Sequence, residues 1–194
     1  MELKKFFAIR KIYALKTVER NGTVVTENDI ERQESSAEHS WSAMVLADWI
    51  LSNFEIKVDK LRVFELIMYH DLVEIHAGDI CISDVEGRAA KVEEEIKAAK
   101  MLRGELSGDN GFGSRFYDLF MEFEEQKSIE AKFAKMVETF DAALHELDHK
   151  KNWEVWTKEK LYFLKMKYFE AFPEIKKLFI EIADWVESEG YFNQ

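Results

Sequence analysis

From Leu66 to Asp79 the chain reads Leu66-Ile67-Met68-Tyr69-His70-Asp71-Leu72-Val73-Glu74-Ile75-His76-Ala77-Gly78-Asp79, and no other stretch limits the fold as strongly. A buried apolar run passes into five His, Asp and Glu side chains within the ten residues from His70 to Asp79. Any fold that contains it must bury most of the segment and still give its charged groups partners or a metal, because an unpaired buried charge is too costly to keep. On a helix His70 and Asp71 stand about 100° apart, so their tips can converge on one ion above the groove between them. Glu74 lies one turn further on; Gly78 ends the helix and leaves Asp79 on the following loop. Taken alone a His-Asp dipeptide is commonly a surface pair or a capped helix end. The surrounding Leu66, Ile67, Met68, Leu72, Val73 and Ile75 argue for burial instead.

The rest of the chain supplies helices to bury that segment. One proline and eight glycines in 194 residues, with abundant Leu, Ala, Lys, Glu and Met, predict an all-α chain long enough for one domain with a substantial core. Leu3, Phe6, Phe7, Ile9, Ile12, Tyr13 and Leu15 recur at helical spacing over roughly residues 2 to 17. A turn at Arg20-Asn21-Gly22-Thr23 and a loop then lead to Ser35, which has capping-box spacing to Glu38. The helix so opened carries His39 and, as core candidates, Trp41, Met44, Val45, Leu46, Ala47, Trp49 and Ile50. Asp59 caps the central helix, and an acidic helix spans about Gly87 to Leu106, its Glu93-Glu94-Glu95 run forming a solvated face. A loop follows from Ser107 to Gly113, then helices over Ser114 to Glu125, Ser128 to about Lys150, Trp153 to Phe172 and Pro173 to Glu189. Pro173 suits a first helical position and Gly190 a stop. The aromatic C-terminal end reads mainly as core, with surface left for a dimer contact.

Charge narrows the partners. A formal net charge of -11 without a basic patch argues against extended nucleic acid and anionic membrane surfaces, but leaves small phosphate esters open. The lone Cys81 excludes an internal disulfide and reads as a small apolar neighbour of the site. The N-terminus lacks a signal-peptide core and no run reaches membrane-spanning length, so a cytoplasmic protein is expected. The Gly-rich loop at 107–113 has no Gly-Lys-Ser/Thr ending and is not a phosphate-binding P-loop.

Two metal patterns compete. His39, His70 and Asp71, joined by a carboxylate from the late helix, give two imidazoles and two carboxylates suited to one divalent ion such as Mn, Co, Fe, Ni or Zn with open positions. His145-Glu146-Leu147-Asp148-His149 matches the His-Glu-x-x-His pattern of zinc proteases. Asp148, Lys150, Lys151 and Asn152 make it a wet, charged helix end, and no further His follows as third ligand.

With Ser35-Ser36-Ala37-Glu38-His39-Ser40, then His70-Asp71-x-x-Glu74-x-x-x-Gly78-Asp79, then Lys135-x-x-Glu138, the sequence resembles the HD-domain metal-dependent phosphohydrolases, and most of all their 5′-deoxynucleotidase branch. The resemblance covers nearly the whole chain. It implies one HD-type domain over 1–194, a bundle of seven to eight helices, and a homodimer. It implies His39, His70 and Asp71 as metal ligands, with Glu138 at the position where the family has an aspartate and Asp141 as the fallback. It makes Glu74 and Asp79 the catalytic carboxylates and Arg20 the phosphate clamp, with Arg32 as a second basic contact and Asn21 where relatives carry an aromatic residue. The implied activity is release of phosphate from (deoxy)nucleoside 5′-monophosphates. The alternatives are a nucleotide-binding protein whose turnover Glu138 has weakened, and the zinc protease. Glu74 and Asp79 speak against the first, since a pure binder needs neither.

Overall fold

The computed structural model describes residues 2–79, 85–106 and 111–192. Cys81 and the Ser107-to-Asn110 part of the Gly-rich loop lie outside the described residues. The N-terminal helix is shorter than its periodicity predicts: α1 (Glu2–Ala8) passes into a 3₁₀ helix over Ile9–Thr17. Leu15 is buried there, whereas Leu3, Phe6 and Phe7 are exposed.

The expected turn and loop up to Ser35 are instead an antiparallel hairpin of β1 (Glu19–Val25) and β2 (Glu31–Ser35). Val24 and Val25 pair with Arg32 and Glu31, and the β-branched run Thr23-Val24-Val25 favours the strand. Between Glu19 and Thr23 the register shifts. Such an irregularity turns side chains away from the ladder, and Arg20 and Asn21 lie within it.

Helix α2 (Ser36–Asn53) begins with the predicted capping box: Glu38 N donates to Ser35 Oγ (3.3 Å) and Ser35 N to Glu38 Oε2 (2.9 Å). Its core face carries Ala43, Ala47 and Ile50; Met44 and Leu46 pack partly against the core. Trp41, Val45 and Trp49, core candidates by sequence, are exposed: at spacing i, i+4, i+8 they form the outward stripe of the same helix. Small alanines on the inner face let α2 approach its neighbours closely, so the large residues are the ones turned out.

Asp59 caps α3 (Lys60–Tyr69) by accepting from Leu61 N and Arg62 N. The central segment is not one helix. It tightens to 3₁₀ over His70–Val73, resumes as the single turn α4 (Glu74–Ala77), and ends at Gly78 with φ +73°, a left-handed conformation that favours glycine. Helices α5 (Val85–Glu105) and α6 (Phe112–Glu125) cross so closely that a Cβ on Gly113 would fall 2.2 Å from the Arg103 carbonyl oxygen. Ser128 caps α7 (Ile129–His145), which stops short of the expected Lys150. Helix α8 (Lys158–Lys165), continued as 3₁₀ to Phe169, and α9 (Pro173–Ser188) close the bundle, with Pro173 in the first turn and Gly190 at φ +67°.

Helices α2, α3 and α7 pack on one another around Ile50, Leu66, Ile67, Phe133, Val137 and Phe140. The C-terminal aromatics Phe169, Phe172 and Phe179 extend that core, as expected, while Phe163 and Trp185 remain exposed. The fold is the predicted helical bundle with one small hairpin added. No helix of the described residues is long and apolar enough to cross a membrane.

Candidate metal centre and active-site cavity

The break in the central helix brings three side chains together. Ligand atoms of His39, His70 and Asp71 lie within 4.8 Å of one another, all three residues buried. His39 Nδ1 donates to Asp141 Oδ2 (2.9 Å), and His70 Nδ1 donates to the Ile67 carbonyl (2.6 Å), whose oxygen can only accept. Both imidazoles therefore have their proton committed at Nδ1. Their Nε2 atoms are buried without hydrogen-bond partners and turn lone pairs toward the same space. That is the arrangement of metal-binding histidines whose far nitrogens are fixed by a carboxylate or a carbonyl. With Asp71 Oδ1 3.0 Å from His70 Nε2, the donor set fits a divalent cation.

Glu138 and Asp141 take different parts. Asp141 accepts from both His39 Nδ1 and Ser42 Oγ (2.8 Å), so it orients the histidine. Glu138 lines the cavity and pairs with Lys135 Nζ at 3.0 Å. Burial alone would raise its pKa, but the Lys135 ammonium beside it holds it well below the usual carboxylate range. Glu138 thus faces the histidines as a carboxylate, although it stands outside the three-residue cluster.

His70 and Asp71 line a cavity of about 500 Å³ that includes Arg20, Asn21, Asp79, Lys91 and Glu138 in its walls, a size that suits a small-molecule ligand. Arg20 Nη1 lies 3.2 Å from Asp71 Oδ2 and 3.8 Å from Asp79 Oδ1. Despite its burial the guanidinium pKa is raised by Asp71 and Asp79. Glu74 accepts from Ser36 Oγ at Oε2 (2.6 Å) and has Oε1 3.6 Å from Lys91 Nζ. Burial, reinforced by Asp71, pushes Glu74 up to about 9.

Arg32 is not brought to the site. It projects from the exposed part of β2, where Nη1 bonds Glu38 and the Gln33 carbonyl. Beside Asp79 the cation in Arg32's expected place is Lys91 of α5, 4.0 Å from Asp79 and 3.2 Å from Glu95, one helical turn away; Lys135, Lys151 and Lys165 also line the cavity. Glu95 consequently leaves the solvated acidic face that Glu93 and Glu94 do form. His76 is the expected helix-end residue, paired with Glu105 at 3.1 Å. His145 is not solvated: it lines the cavity with Nδ1 3.8 Å from Glu34 Oε1. α7 ends at His145, and although the His145 and His149 rings stay 5.9 Å apart, Asn152 takes the Glu146 carboxylate and the pair joins no metal-sized cluster among the described residues.

The chain is similar to known proteins in both sequence and fold. The family model for the HD domain matches residues 12–176. A 5′-deoxynucleotidase of Danio rerio is 34% identical over 127 residues, 66% of this chain and 60% of that protein. One of Homo sapiens is 31% identical over 147 residues, 73% of this chain and 69% of that protein. The crystal structure of a predicted metal-dependent phosphohydrolase from Magnetospirillum magnetotacticum MS-1 superposes with a TM-score of 0.86 at 26% identity, covering 99% of this chain and 95% of that one.

Proposed function

The chain belongs to the HD-domain family, and from that premise we propose that it is a divalent-metal-dependent phosphohydrolase acting on (deoxy)nucleoside 5′-monophosphates. The observation that carries this reading is the pair of buried Nε2 atoms of His39 and His70 that make no hydrogen bond among the described residues, beside Asp71; His70 and Asp71 line a cavity that also holds Arg20, Lys91, Glu74 and Asp79. The substrate class comes from the relatives, of which the match spans 60% to 73% of their length. The family match and the continuous bundle support a single hydrolase domain across 1–194.

In this reading His39, His70, Asp71 and Glu138 hold the cation, which when bound supplies charge neutralisation at the phosphoryl oxygens and an acidified water. Arg20 and Lys91 bind the remaining phosphate charge, and Asn21 borders the sugar. Glu74, which keeps a proton more readily than an ordinary carboxylate, hands it to the leaving 5′-alkoxide. Asp79, beside both cations, accepts from the attacking water and aims it at phosphorus.

A cytoplasmic homodimer belongs to the same proposal. The single cysteine and the nucleotide substrate support the compartment. The exposed Trp41, Val45 and Trp49 on α2, and the exposed Phe163 and Trp185 toward the C-terminal end, support a contact between copies. Loading the protein with Mn, Co, Fe, Ni or Zn and offering ribo- and deoxyribonucleoside 5′-monophosphates tests the activity. Metal-dependent phosphate release, lost in His70→Ala and Asp71→Ala with the helical signal kept, is expected. Release that persists in either variant would refute the site.

A further inference from the structure

Glu34 is a carboxylate buried to 5% exposure at the inner end of β2, and the hydrolytic scheme leaves it without a part. Its Oε2 lies 3.7 Å from Arg20 Nε, and its Oε1 3.8 Å from His145 Nδ1. Gly22 makes room for it: a Cβ there would come 3.1 Å from Glu34 Oε2 and 3.1 Å from His145 Cδ2. A buried acid is thus kept within reach of one edge of the guanidinium, at a place where the backbone has given up a side chain.

The opposite pull on Arg20 comes from Asp71 and Asp79, both approached by Nη1. Attracted by these alone, the guanidinium would settle onto Asp71, a proposed metal ligand, and spend its charge there. Glu34 draws the Nε edge the other way. Because the guanidinium is a rigid planar fork, fixing it through Nε and Nη1 leaves the Nη2 side free for an incoming anion. We propose that Glu34, backed by His145, is a positioning residue that sets where Arg20 meets the substrate phosphate. This rests on the reading of Arg20 as the phosphate contact. It also gives His145 a role that the protease pattern had obscured.

The test uses the metal-loaded protein and inorganic phosphate as the probe, its affinity measured by calorimetry, beside KM and kcat for a nucleoside 5′-monophosphate. Arg20→Ala and Glu34→Gln should each weaken phosphate binding, Glu34→Gln on the order of tenfold, since a misplaced positioning group costs that much or more. KM should rise more than kcat falls. In the Arg20→Ala background Glu34→Gln should add no further loss, because groups acting as one unit are not additive. Full additivity would overturn the proposal and assign Glu34 to general stability. Wild-type phosphate affinity in Glu34→Gln, with Arg20→Ala impaired, overturns the positioning role and leaves the Arg20 reading standing. Unchanged affinity in both removes the two together. Where Glu34→Gln does not fold, Glu34→Asp keeps the charge and withdraws the carboxylate by one methylene. An intermediate weakening is then expected, and wild-type affinity overturns the proposal.

Discussion

Glu138 and Asp141 stand three residues apart on α7 and differ in what they already hold. Asp141 is engaged by His39 Nδ1 and Ser42 Oγ, so its loss should loosen the histidine without removing a ligand. Glu138 looks into the cavity, held as a carboxylate by Lys135. Glu138→Gln should therefore abolish bound metal and turnover, and Glu138→Asp should remain active. Asp141→Asn should lower metal affinity by about 10- to 100-fold, the usual cost of losing the group that orients a ligand. Metal content after gel filtration and phosphate release from the same preparations decide it. If Asp141→Asn empties the site while Glu138→Gln retains metal, the two roles are exchanged. The grouping of His39, His70 and Asp71 was legible in the sequence because imidazoles and a carboxylate set in apolar surroundings must be compensated, and the fold brings the three together. Lys91 and Glu34 were not, because a lysine in an acidic helix and a glutamate in a polar strand look solvated until the fold turns them inward.

At the scale of elements, caps and stops were the most legible features: Ser35, Asp59, Pro173, Gly78 and Gly190 mark boundaries by local geometry alone. The hairpin escaped because Glu31, Arg32 and Gln33 lack the apolar alternation of a half-buried strand; it forms through pairing with β1 and through its buried end at Glu34 and Ser35. One junction between elements carries a pH signature. Glu122 of α6 accepts from Arg62 Nε of α3 (3.0 Å) and from Ser128 Oγ (2.7 Å), the residue that caps α7. Burial opposes ionisation there, but Arg62 and Ser128 outweigh it and lower the Glu122 pKa. A folded-state pKa below the unfolded one contributes stability above the ordinary glutamate range, and that contribution is lost as pH falls through and below about 4.3. Glu122→Gln should accordingly lower the denaturant midpoint at pH 7 and narrow the gap to wild type as the buffer is taken down toward pH 3. A gap that stays constant across that range would show that Glu122 acts by shape and not by charge.

For the whole molecule, the proposed metal ties together segments far apart in sequence: His39 on α2, His70 and Asp71 after α3, Glu138 on α7. These helices already share the apolar core around Ile50, Leu66 and Val137, which packs them together apart from the ion. Without a cation, however, His39 Nε2 stays buried and unpartnered, at a cost of about 1–3 kcal/mol, and His70 Nε2 has only Asp71 Oδ1 at 3.0 Å. Binding that favours only the folded state stabilises it by about 2.7 kcal/mol at a hundredfold excess over Kd, which for a chain of this size raises Tm by about 5–10 °C. Chelation should then lower Tm by that amount and leave the helical circular-dichroism signal in place. Restoring Mn, Co, Fe, Ni or Zn should recover it, and the best-bound ion should give the largest shift. In His70→Ala and Asp71→Ala the shift should vanish, whereas His149→Ala, beyond the end of α7, should keep it in full. A metal-dependent rise in Tm that survives in His70→Ala and Asp71→Ala but is lost in His149→Ala would move the ion to the far end of α7, away from the cluster of His39, His70 and Asp71.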